Sequence, residues 1–258
     1  MVDGRSTTTN VLQRGIILVA LWLVPSGVFG GSPHHQESEQ ASGENDPYLV
    51  CEQGQRQSPI NIVTSEHEGE RHDLVFRYQP TPVHIVHDGH SFQGLSESPR
   101  IVLFNGHSYQ FLQAHFHDPS EHHIDGVSYA MELHLVHKDS EGKLLVVGVL
   151  AREGEEQKEL AQIGAWVEQQ IGHRMLKSGE EVAGAYQVDL MKLLPKDRHH
   201  FYAYSGSLTT PPCTEGVQWV VLKEPIEMSA DQIHRFIRAY GPIARPVQPI
   251  RDREIEAQ

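Results

Sequence analysis

Hydrophobic and polar residues alternate in short runs along most of this chain, the period-2 pattern of half-buried β-strands. IVLF (101–104) and SYQFLQAHFH (108–117) flank Asn105-Gly106, the strongest short hairpin signal. SYAMELHLVH (128–137) and KLLVVGVLA (143–151) form a second pair around Ser140-Glu141-Gly142, and VQWVVL (217–222) reads as a further buried strand. Helical periodicity is rarer. Leu160, Ile163, Val167 and Ile171 make a stripe that predicts a helix near 155–171. A second helix begins at Ser229, where Gln232 completes a capping box before Ile233, Phe236 and Ile237. The pattern predicts a β-dominated α+β fold, and the absence of a second linker or a repeat beyond Tyr48 predicts one domain.

Alternation also assigns faces, because residues i and i+2 of a strand point the same way. In SYQFLQAHFH, Tyr109, Phe111, Gln113, His115 and His117 share one face, while Leu112, Ala114 and Phe116 face a core. In the next strand Glu132, His134 and Val136 share a face, and Met131, Leu133 and Leu135 point away. His115 and His117 thus sit about 6.5–7 Å apart along the strand, and a neighbouring strand would bring His134 to them. Three neutral imidazoles with an open position describe a catalytic zinc site; structural zinc is normally closed by four protein ligands. Gln113 and Glu132 each precede a candidate ligand by two residues on its face, where they can accept its second ring N–H.

Composition tempers this reading. With 18 histidines in 258 residues, about one His-x-His pair arises by chance, so the pair alone is a weak motif. The formal charge is −13, and an acidic chain is a poor partner for nucleic acid or an anionic membrane. Arg5 and Arg14 precede the apolar run GIILVALWLV (Gly15–Val24) and the small residues of PSGVFGGS, which predicts an export signal over 1–30. Removing that segment, with its two arginines and one aspartate, leaves about −14. Residues 31–45 are polar and aperiodic and read as a flexible segment. In an oxidising compartment Cys51 and Cys213 favour pairing, with two separate buried thiols as the alternative. A bridge would close a loop of roughly 160 residues, about 4 to 5 kcal/mol in the chain-entropy model.

RQSPINI (56–62), DGHSF (88–92), QAHFHDPSEH (113–122), AMELHLVH (130–137), YSGSLTTPPCTEGVQWVVLKEPI (204–226) and RPVQPI (245–250) together resemble the α-class carbonic anhydrases, over roughly residues 48–258. The bacterial, exported branch is the nearest likeness. The resemblance implies one catalytic domain over 46–258, around a large twisted, mostly antiparallel sheet with a few peripheral helices. It also implies Zn²⁺ on His115, His117 and His134, and CO₂ and bicarbonate as substrates. Thr209 would accept the proton of zinc-bound hydroxide and donate its own to Glu121, Thr210 would line the bicarbonate side, and His90 matches the proton shuttle. Val136, Val146, Leu208, Val217 and Trp219 would form the apolar wall for CO₂, and Cys51 would pair with Cys213.

Two departures stand out. The aromatic Trp-x-Tyr segment common near the family's mature N-terminus is missing, with Tyr48 the only aromatic there. The insertion after the second ligand is short, only Asp118-Pro119 before Ser120. The expected activity is zinc-dependent CO₂ hydration with a side activity on activated esters, in the periplasm or outside the cell. A homodimer is left open, and no membrane partner is expected after cleavage. The competing readings are a non-catalytic binding module of the same fold and a zinc scavenger. Histidines 122 and 123 are left out of the ligand set, since adjacent side chains on an extended segment diverge.

Overall fold

The computed structural model describes residues 49–64, 71–87, 92–95, 100–172, 176–240 and 243–258. The expected signal (1–30), the polar segment (31–45) and His90 lie outside the described residues. The described residues fall in one unit, Glu44–Gln258.

The strands are β1 (Asn61–Ile62), β2 (Leu74–Arg77), β3 (Thr81–His87), β4 (Phe92–Leu95), β5 (Ile101–Phe104), β6 (His107–His117), β7 (His123–Ile124), β8 (Val127–Ser128), β9 (Met131–Lys138), β10 (Leu144–Glu153), β11 (Tyr186–Val188), β12 (Phe201–Ser207), β13 (Glu215–Met228) and β14 (Glu256–Ala257). The helices are α1 (Leu49–Gln53), α2 (Lys158–Ile171) and α3 (Ala230–Tyr240), with a 3₁₀ turn over Leu190–Leu193. Eleven strands form one sheet in the order β11-β3-β4-β6-β9-β10-β13-β12-β14, with β5 also on β6 and β2 on β5. Its pairings are antiparallel except β10 with β13. The expected β-dominated α+β fold is what forms.

Local chemistry explains the turns and caps. Asn105 and Gly106 both take positive φ, 51° and 77°, as a type I′ hairpin requires. The β9–β10 turn is held by Asp139, whose Oδ1 accepts from the backbone N–H of Glu141 and Lys143, both at 2.8 Å. At α3 the capping box is reciprocal: Ser229 N–H donates to Gln232 Oε1 at 3.1 Å, and Gln232 N–H to Ser229 Oγ at 3.3 Å. Helix α2 begins at Lys158, later than the periodicity alone suggests, because the Gln157 side chain accepts from Glu159 N–H and Leu160 N–H.

One face assignment is corrected. The β6–β9 register pairs Phe111 with His137 and then Gln113 with Val136, so Leu112 is the extra residue of a β-bulge. A one-residue insertion reverses the alternation. Tyr109 and Phe111 therefore join Ala114 and Phe116 in the larger core, and Leu112 packs with Val136 and Val146 on the opposite face. Gln113, His115 and His117 keep their predicted side. The sheet is thus buried on both faces: Met131, Leu133 and Leu135 with α2 and α3 behind it, and a cluster around Trp219 in front.

Candidate metal centre

Antiparallel pairing places His115 directly opposite His134 and His117 opposite Glu132. The three imidazoles converge, with ring centroids 4.9 Å (His115–His117), 5.2 Å (His115–His134) and 4.5 Å (His117–His134) apart. One ring nitrogen from each lies within 4.8 Å of the other two. That is close enough to share one ion at about 2.0–2.1 Å from each nitrogen after small side-chain rotations.

Each imidazole has its second nitrogen accounted for. His115 Nδ1–H donates to Gln113 Oε1 at 2.7 Å, which leaves Nε2. His117 Nδ1 lies 3.5 Å from the Ile243 carbonyl, and its Nε2 is buried without a hydrogen-bond partner. His134 Nε2 lies 3.1 Å from Glu132 Oε1, off the line of a good hydrogen bond, which leaves Nδ1. Burial pushes the His117 pKa down to about 4 and that of His115 well below its ordinary value. Both are neutral at pH 7, the form that binds a metal. Burial lowers His134 too, but the Glu132 carboxylate outweighs it and the net shift is upward. Three convergent imidazoles, each with an outer acceptor, fit Zn²⁺.

Glu121, four residues past His117, is buried. Its Oε1 accepts from Arg245 N–H at 2.8 Å, while the buried Oε2 has no hydrogen-bond partner and lies 3.9 Å from His134 Nδ1. Thr209 is buried and Thr210 exposed on the segment between β12 and β13. No hydrogen bond joins Thr209 to Glu121 in this structure. Val136, Val146, Val217 and Trp219 lie in one apolar cluster with Leu208 packed against it, and the Trp219 ring sits 4.8 Å from that of His134. Cys51 and Cys213 form a disulfide.

The eukaryotic-type carbonic anhydrase family model matches residues 38–258. The chain belongs to that family, the α-class carbonic anhydrases. A carbonic anhydrase of Nostoc sp. is 38% identical over 216 residues, 82% of this chain and 79% of that protein. One from Klebsiella pneumoniae is 36% identical over 250 residues, 92% of this chain and 96% of that protein. Among solved structures, the α-carbonic anhydrase from Thermovibrio ammonificans in complex with sulfanilamide superposes with a TM-score of 0.73 at 36% identity, covering 81% of this chain and 90% of that one.

In this carbonic anhydrase a buried network that the sequence did not reveal stands behind the three convergent histidines. Glu132 Oε2 accepts from the backbone N–H of Glu121 (3.0 Å) and His122 (2.8 Å), and Oε1 faces His122 Nδ1 (2.7 Å) as well as His134. His122 Nε2 bonds the Tyr204 hydroxyl at 2.7 Å, which bonds Ser58 Oγ at 2.8 Å. Burial alone would raise the Glu132 pKa; His122 and His134 outweigh it and hold the carboxyl well below its usual range. His122, Glu132 and His134 also have metal-ligand spacing, but Glu132 already faces four donors there, so the group reads as a hydrogen-bonded support. Two glycines make room for it. A Cβ on Gly148 would stand 2.7 Å from Glu132 Oε1, and one on Gly206 would stand 2.1 Å from Ser58 Oγ.

Arg245 is the second missed residue. Its side chain donates to Gln57 Oε1 (2.9 Å), Ser58 O (2.7 Å) and Cys51 O (2.7 Å) while its backbone N–H holds Glu121. It thereby ties the disulfide-bearing N-terminal block to the buried Glu121 carboxylate. RPVQPI contributed to the family likeness, but nothing in the local pattern marks Arg245 as a support. His122 was set aside with His123 because neighbours diverge. They do: His122 turns inward to Glu132, and His123 lies half-buried on β7.

Proposed function

We propose that this carbonic anhydrase hydrates CO₂ with Zn²⁺ held by His115, His117 and His134. The observation that carries the reading is three convergent imidazoles on adjacent strands, each with its outer nitrogen turned to Gln113, Ile243 O or Glu132. A zinc ion there supplies Lewis acidity that makes water nucleophilic at neutral pH, chemistry for which carbonic anhydrase is itself the standard example.

The protein's own groups orient the reaction. Thr209 Oγ1 accepts the nucleophile's hydrogen and gives its own to Glu121 Oε2, the carboxylate oxygen left unclaimed once Arg245 N–H has taken Oε1. A group that must accept on one side and donate on the other fixes which lone pair faces the substrate. Val136, Val146, Leu208, Val217 and Trp219 offer CO₂ an apolar wall and keep competing water away. Thr210 stands on the bicarbonate side, and His90 carries the proton outward, a task suited to an imidazole with a pKa near 6.5. The same nucleophile would attack activated esters as a side reaction. The apolar run at Gly15–Val24 and the Cys51–Cys213 disulfide support export. Among the described residues both metal-spaced groups share His134, which supports one ion per chain over a scavenger of several.

Stopped-flow CO₂ hydration, with metal analysis before and after stripping and restoring zinc, tests this. Activity should vanish and return with one zinc per chain, and His134→Ala should lose both. Full activity with unchanged zinc in that variant overturns the ligand set. His90→Ala should keep zinc and slow turnover in weak buffer only; full activity in every buffer removes His90 from the proton path.

A further inference from the structure

On the face of the sheet turned away from the histidines, an apolar cavity of about 240 Å³ lies between β3, β4, β6 and β9 and the helices α2 and α3. It opens to solvent on the side of Gly164, which is exposed, so it is a deep apolar cleft rather than a sealed void. Its volume exceeds the roughly 150 Å³ of a sealed apolar cavity that admits benzene. Its walls are aliphatic and aromatic, with Ile85, Ala114, Phe116, Leu133 and Ile163 among them. Gly164 lines it from the middle of α2, where an added Cβ would meet nothing within 4 Å. Glycine in mid-helix is unfavourable unless something requires it, and close packing does not require it here. A side chain at 164 would project into open space.

Among the described lining residues only Gln93 and Arg235 have polar side chains, and Arg235 is the one charged group. Its guanidinium is largely exposed and pairs through Nε with Asp231 Oδ2 at 2.8 Å. That leaves the two-nitrogen edge, whose spacing matches a carboxylate. An apolar slot whose one described lining cation turns a two-nitrogen edge away from Asp231 suits an amphiphile with a short hydrocarbon body and one anionic head. We propose that this cavity binds one medium-chain aliphatic carboxylate, its chain between Ile85, Phe116 and Ile163 and its head on Arg235. The site is separate from the metal centre: Ala114, Phe116 and Leu133 point to one side of the sheet, and His115, His117 and His134 to the other.

Calorimetric titration of the zinc-loaded protein with octanoate tests this, using Gly164→Leu, which fills the slot, and Arg235→Gln, which removes the exposed head partner. The wild type should take up one octanoate per chain. Gly164→Leu should abolish that uptake while CO₂ hydration continues at the wild-type rate, and Arg235→Gln should weaken it by about tenfold, the scale of one charge-assisted contact. No saturable uptake by the wild type overturns the proposal. So does uptake that survives Gly164→Leu, which is how octanoate bound at the metal would behave. Equal affinity in Arg235→Gln overturns the placement of the head.

Discussion

Replacing Glu132 by glutamine isolates what the buried carboxylate does for the metal centre. Its two oxygens face four nitrogens: backbone N–H of Glu121 and His122 at 3.0 and 2.8 Å, and imidazole nitrogens of His122 and His134 at 2.7 and 3.1 Å. Glutamine keeps the shape but has one acceptor oxygen and one two-donor nitrogen. With the oxygen left on the imidazoles, the amide NH₂ confronts two buried N–H donors, at about 1–3 kcal/mol for each donor left unpaired. Turning the amide over keeps both backbone bonds and presents the NH₂ to the imidazoles. Each imidazole can then accept by moving its own proton to its far nitrogen, a smaller cost, so this orientation wins. For His134 that far nitrogen is Nδ1, the atom left for the ion. Zinc affinity should therefore fall about 10–100-fold, the usual effect of losing a ligand's outer partner, or about 1.4–2.7 kcal/mol. Competition against a chelator of known affinity reads this directly, without recourse to turnover. Affinity within roughly twofold of the wild type would refute the argument, since the proton on His134 would then not be set by Glu132.

Three further outcomes follow from the same contacts. His137 is buried, bonded to the Tyr78 hydroxyl at 2.5 Å, and pushed by burial to about 3; between that value and the unfolded 6.5 the unfolded chain holds the extra proton, so stability falls as pH falls. The slope attributable to His137 is about 1.4 kcal/mol per pH unit, and urea unfolding of His137→Gln from about pH 6 to pH 4 should lack it; equal slopes would sink the assignment. Gly148→Ala places a methyl 2.7 Å from Glu132 Oε1 and should cost about 1–3 kcal/mol while weakening zinc binding, against which an unchanged urea midpoint would count. The Cys51–Cys213 bridge spans 162 positions, so the double serine variant should lose about 4 to 5 kcal/mol in urea unfolding; a loss below roughly 1 kcal/mol would mean the unfolded chain is not the state the bridge constrains.

Much of the centre was legible in the sequence because it rests on local periodicity. Alternation alone put His115 with His117 and Glu132 with His134, and two-residue spacing put Gln113 beside His115; that the contact is to Nδ1 came from the structure. Asn105-Gly106 and the Ser229–Gln232 box are local signals too, and both formed as read. The bulge at Leu112 was not legible. Alternation in β6 has no mark of an extra residue, and only the register against β9 shows that Tyr109 and Phe111 belong to the other face.

What the sequence by itself determined is therefore which side chains share a strand face and where the chain turns, since those depend on neighbours one to four residues apart. What only the tertiary structure decided is which faces meet. His134 opposes His115 because β9 pairs with β6, Arg245 reaches Glu121 across 124 positions, and His122 turns to Glu132 because Tyr204 and Ser58 close the far side. Such contacts depend on how distant strands register and on which buried polar groups must find partners, and no local pattern encodes that.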